Sequence, residues 1–390
     1  MHISERIRGL KPSATLTINA KTQQLRAQGR EVVSLAVGEP DFSTPAHVIQ
    51  AAKDALDNGK TRYTPVPGLP ELRKAAAGYF QGFYGAEADA EHIICTAGGK
   101  QALYNLFMTL LDPGDEVLLP GPYWVSYPAM ISLAGGVTKV VPTSEHNDFL
   151  VTVEDLEQHV TDNTRVLLLN SPSNPTGGVY TQEQLEELAA WAVSKDIFVI
   201  SDEVYDRLVY APAAPASLSP FWQRNPEHVA VVNALSKSFC LTGMRVGFAL
   251  AHPELIKGMS KIQGQSTSNI NSVTQYAALA AFNGSWDVLD RMTEAFARRR
   301  DYILETLGSW PGVTCPKPNG AFYVFPVLNA LYKGDITDST TLCTKLLEEA
   351  GVALVPGSAF GDDRCARISY AVSDDVLADS LDKIAKVLLG

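Results

Sequence analysis

Cysteine is scarce and unpaired in this chain of 390 residues: Cys95, Cys240, Cys315, Cys343 and Cys365 form no C-x-x-C pair and no zinc-ligand spacing. That pattern excludes a disulfide-stapled scaffold and lends no support to a metal site. Positive charge is in deficit too, with 32 Lys+Arg against 43 Asp+Glu and a net charge of −11. A nucleic-acid binder needs a basic surface large enough to displace counterions, so that class is set aside. An anionic small molecule is not excluded, because a local Arg/Lys cluster overrides the field of the whole surface. No apolar run approaches the roughly 18 residues that cross a bilayer. The first stretch, MHISERIRGLKPSATLTINAK, is charged and has no apolar h-region. Neither a membrane partner nor a signal peptide is expected, and the expected compartment is the cytoplasm.

What is present is a globular composition, 46% hydrophobic and 19% charged. It is too apolar for disorder and long enough for two or three domains. No repeat or low-complexity segment interrupts it. The expectation is an acidic, multi-domain enzyme.

Along the middle of the chain, helical periodicity alternates with short apolar runs. Pro70-Glu71-Leu72 opens a helix to about Phe80. Gly98-Gly99-Lys100 precedes the helical stretch QALYNLFMTLL, which Asp112-Pro113-Gly114 stops. Buried strands are predicted at 116–119, 165–170 (RVLLLN), 197–201 (IFVIS) and 229–232, with a helix from Thr181 to about Ser194. Continuous β-branched runs between helices are the signature of an α/β fold, a mainly parallel sheet covered by helices on both faces. From about Asp290 the pattern turns α+β: an Arg-rich helix, strands near 320–325 and 366–370, and a final amphipathic helix.

In an open α/β sheet the ligand site lies outside the carboxyl ends of the strands. Gathered there are Gly98-Gly99-Lys100, Asn170 to Gly177, Asp202 with Tyr205, and Lys237 with Arg245. Each has an ordinary alternative. The glycine pair can be a tight turn at a helix start, Asp202 a helix cap, Lys237 a surface residue, and Trp124 or Tyr205 core filling. Together they supply an anion cradle, a carboxylate, an amine, a guanidinium and aromatic plates at one sheet edge. Pyridoxal 5'-phosphate needs that set: amides and Arg for its phosphate, Lys for its aldehyde, and Asp to keep its ring nitrogen protonated.

At this point the sequence resembles the class I pyridoxal-phosphate aminotransferases (fold type I) over nearly its whole length. The matching segments are VGEPDF (37–42), TRYTPVPGLPELR (61–73), NSPSNPTGG (170–178), SDEVY (201–205), SKSFCLTGMRVG (236–247) and RISYA (367–371). A finer resemblance, to the bacterial aspartate/prephenate branch, is carried by KPSAT (11–15), GGKQALYNLF (98–107) and PYWVSYP (122–128). The resemblance implies that Lys237 bonds the cofactor aldehyde and shuttles the Cα proton, and that Asp202 pairs with the ring nitrogen. Tyr205 and Asn174 then hydrogen-bond the phenolic oxygen. Gly99, the Lys100 amide and Arg245 hold the phosphate, and Trp124 stacks on the ring. Arg367, with Asn174, Trp124 and Gly38, binds the substrate α-carboxylate. Tyr63 reaches the phosphate of a neighbouring subunit, which implies a homodimer. Two departures concern the details of phosphate anchoring: Ala234 stands where the family has Gly or Ser, and Cys240 where a small residue is usual.

The resemblance also implies a large domain over 47–289 and a smaller one built from 1–46 and 290–390, closing over the substrate. The reaction implied is ping-pong amino transfer from an amino acid, aspartate first, to 2-oxoglutarate. Lys100 and Thr15 match the residues that bind a distal carboxylate in the bacterial branch, and Lys11 the basic residue associated with prephenate. Aminotransferases for aromatic, kynurenine, alanine or branched-chain substrates, and β-lyases, would share every cofactor residue. A transcription regulator with an aminotransferase-like domain would carry an N-terminal helix-turn-helix extension, and this chain starts almost directly at the catalytic architecture.

Overall fold

The apolar runs RVLLLN, IFVIS and VAVV do lie side by side as neighbouring strands, and successive residues along each face opposite cores. In the computed structural model, which describes residues 2–10 and 14–390, twelve strands occur among the described residues. They are β1 (Val33–Ser34), β2 (Ile93–Thr96), β3 (Glu116–Gly121), β4 (Val137–Pro142), β5 (Thr164–Asn170) and β6 (Phe198–Asp202), then β7 (Val229–Ala234), β8 (Gly247–Leu250), β9 (Tyr323–Val324), β10 (Val352–Ala353), β11 (Val355–Pro356) and β12 (Ala366–Ser369). Seven of them form the central sheet, in the order β2-β8-β7-β6-β5-β3-β4. All its pairings are parallel except those of β8, which runs antiparallel to both β2 and β7.

Leu167, Leu169, Val199 and Val231 join the core on one face, while Val166, Leu168, Ile200 and Val232 join the core on the other. The helix Gln182–Ser194 buries Leu185, Leu188 and Ala192 against the first face. Thr181 caps it, its hydroxyl accepting from the Gln184 amide at 3.2 Å. The helix Gly99–Leu110 buries Ala102, Leu103, Leu106 and Phe107 against the second. Both faces are therefore covered, as the continuous apolar strands require. Truncating a fully buried leucine such as Leu167 to Ala costs about 2–5 kcal/mol.

The two ends of the chain meet in smaller sheets. β1 pairs in parallel with β10, and β11, β12 and β9 form an antiparallel three-stranded sheet. The expected strand over 320–325 shrinks to β9, for a local reason. The Gly320 amide is bonded to the Gly177 carbonyl and the Ala321 amide to the Leu208 carbonyl, so both are drawn out of the ladder. The helix Asp287–Gly308 runs across the expected boundary between residues 289 and 290. Its Arg299, nearly buried, bridges Asp41 at 2.9 Å and Asp374 at 2.8 Å, tying the VGEPDF segment to the last helix. Among the described residues no helix is long and apolar enough to cross a membrane.

Candidate active site

Because β2, β5, β6 and β7 run parallel, their carboxyl ends share one edge, and antiparallel β8 begins there. A cavity of about 380 Å³ opens at that edge. It is lined by Gly38, Gly99, Lys100, Trp124, Asn174, Asp202, Tyr205, Lys237, Arg245 and Arg367, so ten of the twelve residues expected at the site are brought together. Tyr63 lies apart, 90% exposed. Lys11 and the side chain of Thr15 fall outside the described residues.

The glycine pair after β2 is required by geometry. Gly98 has φ of +85°, and a Cβ there would stand 2.5 Å from Arg245 Nη2. A Cβ on Gly99 would stand 3.1 Å from Val204. Arg245 is anchored on backbone oxygens, Thr242 at 2.9 Å and Ala97 at 3.2 Å, so its guanidinium is held over the turn. The helix that opens at Gly99 brings its positive dipole end to the cavity that Arg245 also lines.

Asp202 ends β6, 4% exposed, opposite Asn170 in the ladder. Burial pushes its carboxyl up to about 6, against the Tyr127 hydroxyl at 2.7 Å and the Val204 amide at 3.3 Å, which favour the charged form. The Val204 bond is the cap expected of a strand-end Asp, yet the other oxygen is turned into the site by Tyr127. Asn170 steadies the next loop, its Oδ1 accepting from the Asn174 amide at 2.9 Å.

Lys237 sits in the single turn Leu235–Ser238 that follows β7. Burial lowers its amine to about 8, with Arg367 and Arg245 pushing the same way and Glu39 and Asp202 opposing. Its Nζ donates to the Gly38 carbonyl and lies 5.8 Å from the centre of the Tyr205 ring. Among the described residues its hydrogen bond goes to that carbonyl and not to a carboxylate, Glu39 and Asp202 acting on it only through charge. An amine held this way is a nucleophile near neutrality.

Arg367 comes from β12 and is 3% exposed. It donates to Asn174 Oδ1 at 2.9 Å and to the Ala36 carbonyl at 2.6 Å, while its buried Nε has no partner. Burial also lowers its pKa. A buried cation without a carboxylate marks an anion's place. A second cation stands nearer the mouth: Lys100 Nζ lies 4.7 Å from the Trp124 ring centre. Burial and Arg245 lower its pKa.

Tyr127, Ser236 and Tyr323 are among the pocket residues not anticipated from the sequence. Tyr127 lies three residues after Trp124 on the helix start, and that spacing was its only signal. Ser236 is buried on the wall, with no hydrogen bond for its hydroxyl among the described residues. It stands two residues from Ala234, the position where the family's serine is missing. Tyr323, from β9, has its hydroxyl 2.9 Å from that of Tyr205.

These residues fit pyridoxal phosphate on their own chemistry. The glycine turn accepts only an unhindered ligand, Lys237 has no carboxylate partner, Asp202 offers a buried oxygen, and the Arg367 Nε lacks an acceptor. Fold and site together define a pyridoxal-phosphate-dependent enzyme of fold type I.

The family described as aminotransferase class I and II matches residues 30–384, and this chain belongs to it. It is 45% identical to an aspartate aminotransferase of Streptomyces avermitilis, over 99% of this chain and 96% of that protein. It is 42% identical to an aspartate/prephenate aminotransferase of Thermus thermophilus, over 99% and 98%. The solved structure of the Thermus thermophilus aspartate aminotransferase with maleate superposes with a TM-score of 0.94 at 43% identity, covering both chains in full. The chain is a pyridoxal-phosphate-dependent aminotransferase.

Proposed function

We propose that this aminotransferase moves the α-amino group of L-aspartate to 2-oxoglutarate by a ping-pong route. The observation that carries the substrate is the pair of cations in one pocket, Arg367 deep and Lys100 at the mouth, which suits a dicarboxylate. The names of the relatives above support the same reading.

Bound here, pyridoxal phosphate supplies an aldehyde that condenses with amines and a ring that accepts the electron pair released at the substrate Cα. Gly99, the Lys100 amide and Arg245 would hold its phosphate, and Trp124 would cover its ring. Asp202 keeps the ring nitrogen protonated. Tyr205 and Asn174 donate hydrogen bonds to the phenolic oxygen. Arg367 takes the α-carboxylate as a fork, with Asn174, Trp124 and Gly38 completing the pocket. Lys237 Nζ, with its lowered pKa, would take the proton from the substrate Cα and hold it for return. Closure of residues 1–46 and 290–390 over 47–289 excludes water during that transfer. The pairing of β1 with β10, which joins the two chain ends, supports this division.

The 90% exposure of Tyr63 supports a homodimer in which it reaches the partner's phosphate site. The five free cysteines support a reducing, cytoplasmic location.

The test is a panel of amino donors with 2-oxoglutarate and with pyruvate. Aspartate is expected to exceed alanine and leucine in kcat/KM by about 10–100-fold, the value of a charge-assisted hydrogen bond. Lys100→Ala is expected to erase most of that margin. A flat donor profile, or a margin that survives Lys100→Ala, would sink the assignment.

A further inference from the structure

Tyr323 has no part in the scheme above, yet it touches three of its members. It is fully buried on β9 and lines the same cavity. Its hydroxyl is 2.9 Å from the Tyr205 hydroxyl and makes no other hydrogen bond among the described residues. Its ring centre is 4.5 Å from the guanidinium carbon of Arg367. A Cβ added at Gly38 would stand 2.9 Å from its hydroxyl, so the Gly38 backbone is packed directly on it.

We propose that Tyr323 is a positioning residue that aligns both halves of the site, Tyr205 through its hydroxyl and Arg367 through its ring. The proposal rests on the roles given to those two residues above. A phenol has one proton to give. When the Tyr205 hydroxyl donates its hydrogen bond to the cofactor's phenolic oxygen, its own oxygen is left to accept, and Tyr323 is the donor in place. A donated bond polarises Tyr205 and strengthens the bond that Tyr205 makes in turn. The ring does separate work. Arg367 is buried without a carboxylate, and the π face of Tyr323, with Phe360 at 5.2 Å, offsets part of that burial. It also fixes the guanidinium plane while leaving its N–H groups free to point at Asn174 and at a ligand.

Two holoenzyme variants separate the contributions, read by the pH midpoint of the visible absorbance and by the dissociation constant of maleate, an unreactive dicarboxylate. Tyr323→Phe keeps the ring and removes the hydroxyl. A donor at the phenolic oxygen favours the state in which that oxygen carries uncompensated negative charge, so weakening the donor raises the midpoint. The expected rise is about 0.5–1 pH unit, the size of one neutral hydrogen bond, with maleate affinity nearly unchanged. Tyr323→Leu removes the ring as well and is expected to weaken maleate about tenfold. An unchanged midpoint in Tyr323→Phe, or wild-type maleate affinity in Tyr323→Leu, overturns the proposal. In a Tyr205→Phe background, adding Tyr323→Phe is expected to move the midpoint no further. If Tyr205→Phe alone leaves the midpoint in place, the role of Tyr205 itself fails, and that of Tyr323 with it.

Discussion

Arg367 and Asn174 are joined by a 2.9 Å hydrogen bond from Nη1 to Oδ1, formed between β12 and the loop after β5. The amide therefore orients a guanidinium whose Nε still lacks a partner. Lysine at this position keeps the charge but cannot offer a planar fork. Arg367→Lys is expected to lower kcat/KM for amino acids by roughly 10²-fold, the loss of one charge-assisted hydrogen bond with its geometry. Single-turnover reaction with a simple alkylamine, which has no carboxylate to grip, is the control. It is expected to be unaffected, and an equal loss there would show that Arg367 acts on something other than the carboxylate.

Asp202 illustrates a stability cost at a functional position. Its carboxyl sits at about 6 in the folded protein because it is buried, against about 3.9 in an unfolded chain. The folded state thus holds the proton more tightly, and this group destabilises the apoenzyme as pH rises from about 4 to about 6, by roughly 3 kcal/mol in full. Asp202→Asn keeps an oxygen for Tyr127 and removes the charge. In urea unfolding, its apoenzyme is expected to be more stable than wild type at pH 7.5 and to lose that advantage near pH 4. With cofactor bound, the same variant is expected to lose about 10²–10³-fold in kcat, the effect of breaking a buried charge pair.

Much of this site was readable at strand ends because polar residues there interrupt runs that are otherwise wholly apolar. RVLLLN, IFVIS and VAVV announce themselves since both of their faces are buried. β4 does not: it is an edge strand, and Val137, Val140 and Pro142 are exposed, so its pattern is blurred. β2 and β8 have four residues each, and β9, β10 and β11 only two, too short for any period to register. Tyr127 and Tyr323 escaped notice for another reason. An aromatic residue amid apolar neighbours reads as core, and both are indeed fully buried. What distinguishes them is where a single hydroxyl points, and that depends on elements more than 70 residues away in the chain.

Lys237 yields a pH prediction of opposite sign to that of Asp202. Its amine is held at about 8 by burial, where an unfolded lysine titrates near 10.4. Below pH 8 the buried charge counts fully against folding, and this cost is relieved as pH rises from about 8 to about 10.4. The kinetic consequence is more direct. Capture of pyridoxal phosphate by the apoenzyme requires the neutral amine, of which about one-tenth is present at pH 7 with this pKa. Stopped-flow capture rates are expected to rise about tenfold per pH unit and to level near pH 8. A rate that keeps climbing toward pH 10 would mean that the amine is not desolvated. Lys237→Ala is expected to bind the cofactor without the absorbance band of its lysine-bonded form and to transfer no amino group.

Gly98 tests the phosphate cradle without touching any group that contacts the reacting atoms. Alanine there meets two penalties: a left-handed φ of +85°, and a methyl 2.5 Å from Arg245 Nη2. With ψ of 162° the first costs on the order of 1–3 kcal/mol, within what a domain of this size survives. The second is relieved only by moving the guanidinium, since the turn itself is closed by the Gly98 amide on the Thr96 carbonyl at 2.8 Å. Moving it withdraws Arg245 from the phosphate. Gly98→Ala is therefore expected to raise the dissociation constant of pyridoxal phosphate at least about tenfold, equivalent to about 1.4 kcal/mol. At saturating cofactor, kcat should stay within a few-fold of wild type. If displacement of Arg245 is the cause, the double variant Gly98→Ala/Arg245→Ala will bind cofactor no more weakly than Arg245→Ala alone. Additive losses would instead mean that the methyl blocks the amides at the helix start, and would move the anchoring role from the guanidinium to the backbone.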